Sequence, residues 1–466
     1  MRRKKFTIRR RVPGAPAVAA AHLLSRAELQ RIVERVLRLS EADETEVTIE
    51  ATADALTRFA NNTIHQNVAE TSLSISVRPV LDGRTARATT NKTDEESLRR
   101  VVAAASALAR VQPRDPGLLP MPGPQKYRAV KRFCAATAAA TPDHRARAVA
   151  RVLQLAARNG QTAAGIFTTG CWQTVLANSK GLLARHEQTR AEFSVTMLDS
   201  DSSGWAKANA AGVAEIDPGS LAERAAQKAA QSRAPRELVP GRYTVILEPA
   251  AVLDIVGSLF YDFSATAVRD KRSCLTDRLG KKLFGENITL WDDVYHPLQL
   301  GPAFDGEGVP RKRVLLVQCG VPRNLVYARS TAQGAGARPT GHGFALPNEY
   351  GEAPMNLVFA GGKASLDEMI ASTDRGILVT RFWYIREVDP YEKIMTGMTR
   401  DGTFLIEGGR IAGGIRNFRF NQSILEMLAH VEMLGPAVRA AGEEAFEMVV
   451  PAMKVHGFNF TEATKF

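Results

Sequence analysis

The spacing of apolar residues predicts both helices and strands near the start of the chain. Ser25-Arg26-Ala27-Glu28 has the composition of a helix capping box, and apolar residues follow it at helical spacing. From Thr71 to Val80, apolar and polar residues instead alternate, which is typical of a half-buried strand. The apolar positions of the helix are Leu29, Ile32, Val33, Val36 and Leu37.

Turn and cap residues complete this first unit. Asn61-Asn62 and Asp82-Gly83 predict tight turns, and Thr93-Asp94-Glu95-Glu96 predicts the start of a second helix. We therefore expect an α+β unit over residues 23–111, with helices packed on an antiparallel sheet. Its other strands are predicted at Glu46 to Ala51, Ala55 to Ala60 and Arg84 to Thr89.

Proline marks the border of the next unit. Five prolines lie between Gln112 and Pro124, so residues 112–126 are predicted to be a linker. A second border is expected at Ser232 to Gly241, giving a central α+β region over 127–234. The elements predicted there are helices over Asp143 to Arg158 and Ser220 to Gln231, and strands over Gly165 to Thr169, Trp172 to Asn178 and Leu182 to Leu198.

The remaining residues, 235–466, are predicted to form a strand-rich C-terminal domain. One helix should begin near Pro249, and another should span Ser423 to Leu434 and end at Gly435-Pro436. The strands predicted there are Tyr243 to Leu247, Val314 to Gln318, Ile377 to Val388 and Thr403 to Glu407.

Charge and cysteine content narrow the class of protein. Of the net charge of +12, seven units lie in the first eleven residues, which leaves +5 for the rest. We expect a basic, disordered leader over 1–22 and no nucleic-acid or membrane role. The four cysteines are scattered and form no CxxC pair, and no apolar run approaches the ~18 residues that span a bilayer. These features favour a cytoplasmic protein.

Two acidic turns flank a Gly/Pro-rich passage between Thr289 and Gly320. Asp292 and Asp293 lie in the first turn, and Asp305 and Glu307 lie in the second. Such carboxylates can bind a metal ion, hold a partner chain or accept hydrogen bonds from their own turn. The last alternative is favoured, and helix capping is likewise favoured over an oxygen-ligand site for Asp254 and Asp262.

An ordered set of motifs resembles the TldD/PmbA (TldE) family, whose members are related to zinc metallopeptidases. The set comprises the Thr289 to Gly320 passage, Arg58 to Gln66, Tyr243 to Pro249, Thr340 to Gly343, Ala353 to Leu357, Ala364 to Glu368, Gly376 to Thr380 and Gly402 to Gly408. The resemblance implies N-terminal α+β layers, a strand-rich C-terminal domain, and pairing of two subunits around a cavity in which peptides are processed.

The zinc motif of the active members is missing. Those members carry HExxxH on the helix after the strand–Pro segment. The resemblance places Gly257 and Asp262 of this chain at the two histidine positions and Ser258 at the glutamate position. No histidine lies between His186 and His296, and no cysteine follows Cys319 to serve as the family's third ligand. The resemblance is therefore to the TldE/PmbA branch. No metal is expected in this chain, and zinc is expected in a TldD-like partner.

Other polar residues are weaker candidates. His186-Glu187 lacks the second histidine of HExxH and lies in a strand pattern. His65 and His342 lie in family-like segments, where a structural hydrogen bond is favoured over catalysis. Ser258 and Ser264 have no histidine base nearby in the sequence.

The hypothesis from sequence is a non-catalytic subunit that pairs with an HExxxH-bearing paralogue and forms part of a peptide cavity. His65, Asp292, Asp293, Asp305, Glu307 and His342 are the candidate cavity or structural-turn residues. The alternatives are a metallopeptidase or hydrolase that is active by itself at a site other than HExxxH, and a stand-alone peptide-binding homodimer. Phe382 to Ile385 and the Ile424 to Leu434 helix are the candidate interface segments.

Overall fold

The first unit consists of two helices beside a long hairpin. The computed structural model describes residues 23–464, so the predicted leader over 1–22 lies outside the described residues. The Ser25 capping box forms, and the Asp82-Gly83 turn has the positive φ angles, 51° and 71°, of a tight hairpin turn. The elements are α1 Arg26–Leu39, β1 Glu44–Ala60, β2 Thr63–Leu81, β3 Arg84–Thr85, β4 Ala88–Thr90 and α2 Glu95–Val111.

The second unit, like the first, consists of long strands and amphipathic helices. Thr141 caps its main helix, and Gly160 ends that helix in the left-handed conformation. The elements are α3 Ala135–Ala138, α4 Pro142–Asn159, β5 Thr162–Asn178, β6 Leu183–Leu198, β7 Ser203–Ala210, a 3₁₀ turn Val213–Glu215 and α5 Pro218–Gln231.

One antiparallel sheet joins these two units, in the order β3-β2-β1-β5-β6-β7 with β4 beside β2. Helices α1 and α2 pack on one half of a face through residues such as Val36 and Val102, and α4 and α5 pack on the other half. On the opposite face, Leu176 and Leu182 pack against Phe304 of the C-terminal domain. The sheet therefore lies between a helical layer and the C-terminal domain.

The C-terminal domain contains two further sheets around the largest core. One has the order β11-β10-β9-β12-β19-β18, and the other has the order β13-β8-β20-β16-β14-β15. Because β13 also pairs with β14, the second sheet closes on itself.

The elements of the C-terminal domain follow in chain order. The elements are β8 Gly241–Leu247, α6 Pro249–Val256, a 3₁₀ helix Gly257–Phe263, α7 Ala265–Arg269, β9 Leu290–Asp292, β10 Val314–Gln318, β11 Val321–Pro322, α8 Arg329–Gly334, β12 Leu357–Phe359, α9 Leu366–Ala371, β13 Arg375–Asp389, β14 Ile394–Glu407, β15 Arg410–Gly414, β16 Phe418–Ser423, α10 Ile424–Ala429, β17 Val431–Leu434, β18 Val438–Ala440, β19 Met448–Val450 and β20 Met453–Ala463.

The α+β class with a strand-rich C-terminal domain is confirmed, but several element boundaries predicted from sequence are wrong. The two strands expected over Glu46 to Ala60 are one strand, because Thr52 pairs with Ser72 on one side and Trp172 on the other. Likewise β5 runs unbroken through Gly170. Pairing on both sides therefore carries each strand through positions where the apolar alternation weakens.

Two helix predictions also need correction. The helix expected over Ser423 to Leu434 ends at Ala429, and Val431 then pairs with Val455 in a strand. This pairing with β20 outweighs the apolar pattern, which suits either structure. The helix expected to begin at Ser220 begins at Pro218 and is capped by Asp217.

Candidate functional site

The segment that the family resemblance aligns with the zinc motif lies directly after α6. Strand β8 ends at Leu247, and Pro249 starts α6 at its first turn, where a missing N–H costs nothing. The α-helix ends at Val256, and Gly257–Phe263 continues as a tighter 3₁₀ helix. The three motif positions therefore stand on a 3₁₀ helix.

Gly257 has no space for a side chain. A Cβ atom added there would lie 2.3 Å from Cβ of Ala445, which belongs to the loop before β19. The same loop places Phe446 edge-on to Phe260, with 5.3 Å between the ring centroids. The loop therefore fills the space that a histidine would need.

Ser258 makes contacts within its own domain. Its Oγ donates to the carbonyl oxygen of Ile255 at 3.4 Å and lies 3.7 Å from Sδ of Met395. No histidine is among these partners, so the structure gives Ser258 no general base through these contacts.

Asp262 is buried in an ion pair with Lys393, which lies in the turn between β13 and β14. The Lys393 Nζ atom is 2.6 Å from Oδ2 of Asp262 and 2.6 Å from Oε1 of Glu387. Burial by itself would lower the pKa of Lys393, but these two carboxylates outweigh it and raise that pKa. Lys393 is therefore an ammonium ion beside the motif carboxylate, and the Cys274 N–H donates to the other carboxylate oxygen at 2.8 Å.

These residues do not fit a zinc ion. Zinc in proteins prefers nitrogen and sulfur ligands in a tetrahedral set, whereas the motif positions offer one carboxylate that already faces an ammonium ion. A divalent cation at Asp262 would be repelled by Lys393. Over residues 23–464 no group of three or more His, Cys, Asp or Glu side chains is arranged to hold a metal ion.

Asp254, the other acidic residue of this region, accepts three backbone N–H groups. They belong to Phe382, Glu443 and Glu444 and lie between 3.1 and 3.2 Å from its oxygens. Burial raises the pKa of Asp254 to about 7, although these donors partly oppose the shift. Asp254 thus connects α6 to β13 and to the loop that covers Gly257.

The first acidic turn contains a buried Asp–His pair. The Nε2 atom of His342 is 2.8 Å from Asp292, and the Asn356 N–H donates to the same carboxylate at 2.7 Å. Burial would raise the pKa of Asp292, but His342 and the other donors lower it below its ordinary value. Asp293 accepts from the Tyr295 N–H of its own turn at 3.0 Å.

The second acidic turn is held by backbone donors. Asp305 accepts from the N–H groups of Glu307, Val309 and Gly343 at 2.8 to 2.9 Å. Burial and the neighbouring charge of Asp305 raise the pKa of Glu307 to about 7, and Glu307 accepts from the Arg329 N–H. The structure thus brings Asp305 and Glu307 together beside the His342-Gly343 segment.

The remaining candidates lie elsewhere. His65 is exposed on β2, and His186 lies on β6, where its ring contacts Gln188 and Trp172. The sequence reasoning missed Lys393 and Glu352. Glu352 accepts from Ser264 Oγ and the N–H groups of Thr266 and Ala328. Glu352 could have been found from the sequence, because it directly precedes the family-like Ala353 to Leu357 segment. No sequence pattern indicates Lys393.

The fold and this site define a metallopeptidase-related architecture whose motif helix carries no zinc ligand set. Family descriptions match over most of the chain: PmbA/TldA metallopeptidase domain 1 over residues 45–109, the central domain over 126–233 and the C-terminal domain over 240–462. The chain belongs to the PmbA/TldD family.

Individual relatives agree with this assignment. A metalloprotease from Methanothermobacter thermautotrophicus is 26% identical over 280 residues, which are 56% of this chain and 60% of that protein. Metalloprotease PmbA of Escherichia coli is 23% identical over 324 residues, 67% of this chain and 68% of that protein. The matched part thus spans less than two thirds of the archaeal relative's length.

Solved structures support the fold. TldE from Thermococcus kodakarensis superposes with a TM-score of 0.85 at 21% identity, covering 93% of this chain and all of that one.

Within the part of the chain that the structure describes, no helix is long and apolar enough to cross a membrane.

Proposed function

We propose that this chain is a non-catalytic, TldE-like subunit of a cytoplasmic zinc peptidase. Its partner would be a TldD-like paralogue that carries HExxxH and the zinc ion, and the two would enclose a cavity for unfolded or modified peptides. The observation that carries the proposal is the contact between Lys393 and Asp262. The ammonium group of Lys393 supplies the positive charge beside Asp262 that a metal ion would otherwise supply.

The packing at Gly257 supports the same proposal. A histidine there would collide with Ala445, so recovering one ligand would require moving a loop that Asp254 fixes through two backbone hydrogen bonds. The buried carboxylates of the two acidic turns have internal donors, so they give little support to a hydrolase acting with another metal set.

The interface that we propose is narrower than the sequence suggested. In the Phe382 to Ile385 run, Phe382 and Ile385 are buried, whereas Tyr384 is 54% exposed. Val388, further along β13, is 59% exposed, and Tyr391 beyond it is 44% exposed. Since α10 buries Ile424 and Leu428 in the core, the tip of the β13–β14 hairpin is the better candidate.

Co-expression with the HExxxH-bearing paralogue tests this function. We expect a stable complex that cleaves an unstructured peptide and contains zinc, while this chain purified alone has neither activity nor stoichiometric zinc. A stable interface buries on the order of 2,000 Å² and has an apolar centre. Val388→Asp would place a charge in the proposed interface at the hairpin tip and should therefore weaken co-purification. The matched control is Val239→Asp, whose valine is 78% exposed outside the hairpin.

The outcomes separate the alternatives. A paralogue that is fully active alone, and whose rate and elution volume do not change when this chain is added, would disprove the pairing. Chelator-sensitive cleavage by this chain alone would instead establish an independent peptidase.

A further inference from the structure

A cavity outside the motif region has a large excess of positive charge. It has a volume of about 580 Å³ and lies between β6 and the chain segment that leads to α3. The charged residues that line it are Arg26, Arg128, Lys131, Arg132, Arg185 and Glu187. Five cations thus converge on one cavity with a single carboxylate.

The protein itself compensates little of this charge. The nearest carboxylate to Arg185 is Glu187 at 3.9 Å, and that carboxylate already accepts from Gln173 Nε2 at 2.9 Å. Burial and the charge of Arg26 lower the pKa of Arg185, and Glu187 opposes this shift. Among the described residues, Arg26 and Lys131 have no ion-pair partner, and Arg128 only stacks on Tyr295.

Arg132 is held in place yet retains an unused donor. Its Nη2 atom donates to the carbonyl oxygens of Val294 and His296 at 3.4 and 2.9 Å. Its Nε atom is buried without a hydrogen-bond partner within residues 23–464, and the same holds for Nη2 of Arg185. Both donor atoms are closed to solvent, so the excess of positive charge at the exposed Arg128 and Lys131 is what indicates a site for an anionic group.

The wall formed by β6 also has an open backbone edge. Strand β5 pairs with β6 along its whole length, but β7 pairs only with Ala191 to Leu198. The segment before α3 contacts β6 through the Arg132–Gln188 bridge and the Thr189 N–H. Across the described part of the chain, the outer edge of residues 183–187 therefore has no strand partner.

We propose that this cavity binds a carboxylate-rich segment of an extended polypeptide, which adds a short strand to the outer edge of β6. The acidic side chains would pair with Arg128, Lys131 and Arg185. The inference rests on the proposed function in that the ligand is a peptide substrate. It gives that substrate a charge preference supplied by this chain and not by its partner.

The open strand edge favours a polypeptide over a single-stranded nucleic acid, because its backbone donors and acceptors are satisfied by another peptide backbone. The aromatic rings do not separate the two ligands. Nucleic-acid grooves stack bases on exposed rings; here the Tyr127 ring packs on Phe304, whereas Phe133 is 48% exposed.

The test is a binding titration with the full chain alone. The probe is a short fluorescent peptide in which glutamate and alanine alternate, compared with the same peptide carrying glutamine and with single-stranded DNA of equal length. We expect measurable binding of the glutamate peptide that weakens as salt shortens the screening length from about 10 Å at 0.1 M to about 3 Å at 1 M. Methylation of alternate backbone nitrogens in the peptide should also weaken binding.

Charge reversal locates the site. Arg128→Glu with Lys131→Glu should weaken binding about tenfold, because each change removes an attraction and adds a repulsion. The matched control is Arg147→Glu with Arg224→Glu, which changes the net charge equally at exposed positions of α4 and α5. If the first variant does not fold, Arg128→Gln with Lys131→Gln replaces it.

Three results would overturn the inference. The first is an equal effect of the two charge-reversal variants, which would assign binding to general charge or to the leader. The second is equal affinity for the glutamine peptide. The third is tighter binding of DNA that the cavity variant abolishes. Because the assay omits the paralogue, each of these results leaves the pairing of subunits untouched, and a failed pairing leaves this binding measurement intact.

Discussion

Two regions of the C-terminal domain bury carboxylates and satisfy them in different ways. In the region after α6, Asp262 faces the ammonium group of Lys393, which lies more than a hundred residues further along the chain. In the acidic turns, Asp305 accepts the N–H groups of Glu307, Val309 and Gly343, and Asp292 accepts from His342 and from the Asn356 N–H. The first region depends on a lysine side chain, and the second depends on hydrogen-bond donors, most of them backbone N–H groups.

This difference shows that the region after α6 is less suited to a divalent cation than its residue types alone indicate. A backbone N–H stabilises a carboxylate by a hydrogen bond without adding a net charge, whereas Lys393 adds a full positive charge beside Asp262. Removal of one partner of a buried ion pair leaves an unpaired charge, which is costly. The two regions should therefore respond differently to substitution and to pH.

The largest expected effect is at Lys393. Lys393→Met should lower the free energy of unfolding by about 3 to 5 kcal/mol at pH 7, because Asp262 must then stay charged and buried or take up a proton. Urea denaturation measures the change. Adding Asp262→Asn to this variant should recover most of the loss, since the buried carboxylate is then removed and Glu387, whose side chain is 39% exposed, stays in contact with water. A loss below about 1 kcal/mol for Lys393→Met alone would contradict a buried pair.

The pH dependence should distinguish the carboxyl groups that have a raised pKa. Asp254 and Glu307 have a pKa of about 7 in the folded protein, against 3.8 and 4.5 as ordinary values. The folded state therefore binds these protons more tightly, so each group makes the protein less stable as pH rises from about 4 to about 7. Asp254→Asn or Glu307→Gln should remove that decline, worth about 3 to 4 kcal/mol at most.

The measurement is the difference in unfolding free energy between each variant and the natural chain at pH 4 and pH 8. Asp367→Asn, at an exposed position in the first turn of α9, is the control and should leave the pH profile unchanged. If the variants and the natural chain have parallel profiles, these two carboxyl groups ionise normally.

The smallest expected effect is at Gly257. Gly257→His should destabilise the protein by about 1 to 3 kcal/mol, because the new side chain overpacks the loop at Ala445. Combining it with Ala445→Gly should recover part of the loss, as thermal unfolding would show. A fully tolerated histidine would mean that the loop moves freely and that the motif region is closer to a metal site than its packing indicates.

Much of the fold could be read from the sequence because its signals are local. The Ser25 capping box, the Asp82-Gly83 turn and the alternation over Thr71 to Val80 each form as predicted. The errors fell where a pattern suited two structures. Val431 follows an apolar helix-like run, yet it pairs with β20, and only the presence of that neighbouring strand decides between helix and strand.

For the candidate site, too, some features could be predicted from the sequence and others could not. The sequence by itself shows that no histidine lies between His186 and His296 and that no cysteine follows Cys319, and the family resemblance predicts Gly257, Ser258 and Asp262 at the positions of the zinc ligands and the base. Only the tertiary structure decided that Lys393 pairs with Asp262, that Ala445 closes the space above Gly257, and that five cations surround one cavity beside β6. The physical reason is that charge pairing and close packing act through space, between residues that the order of the chain leaves far apart.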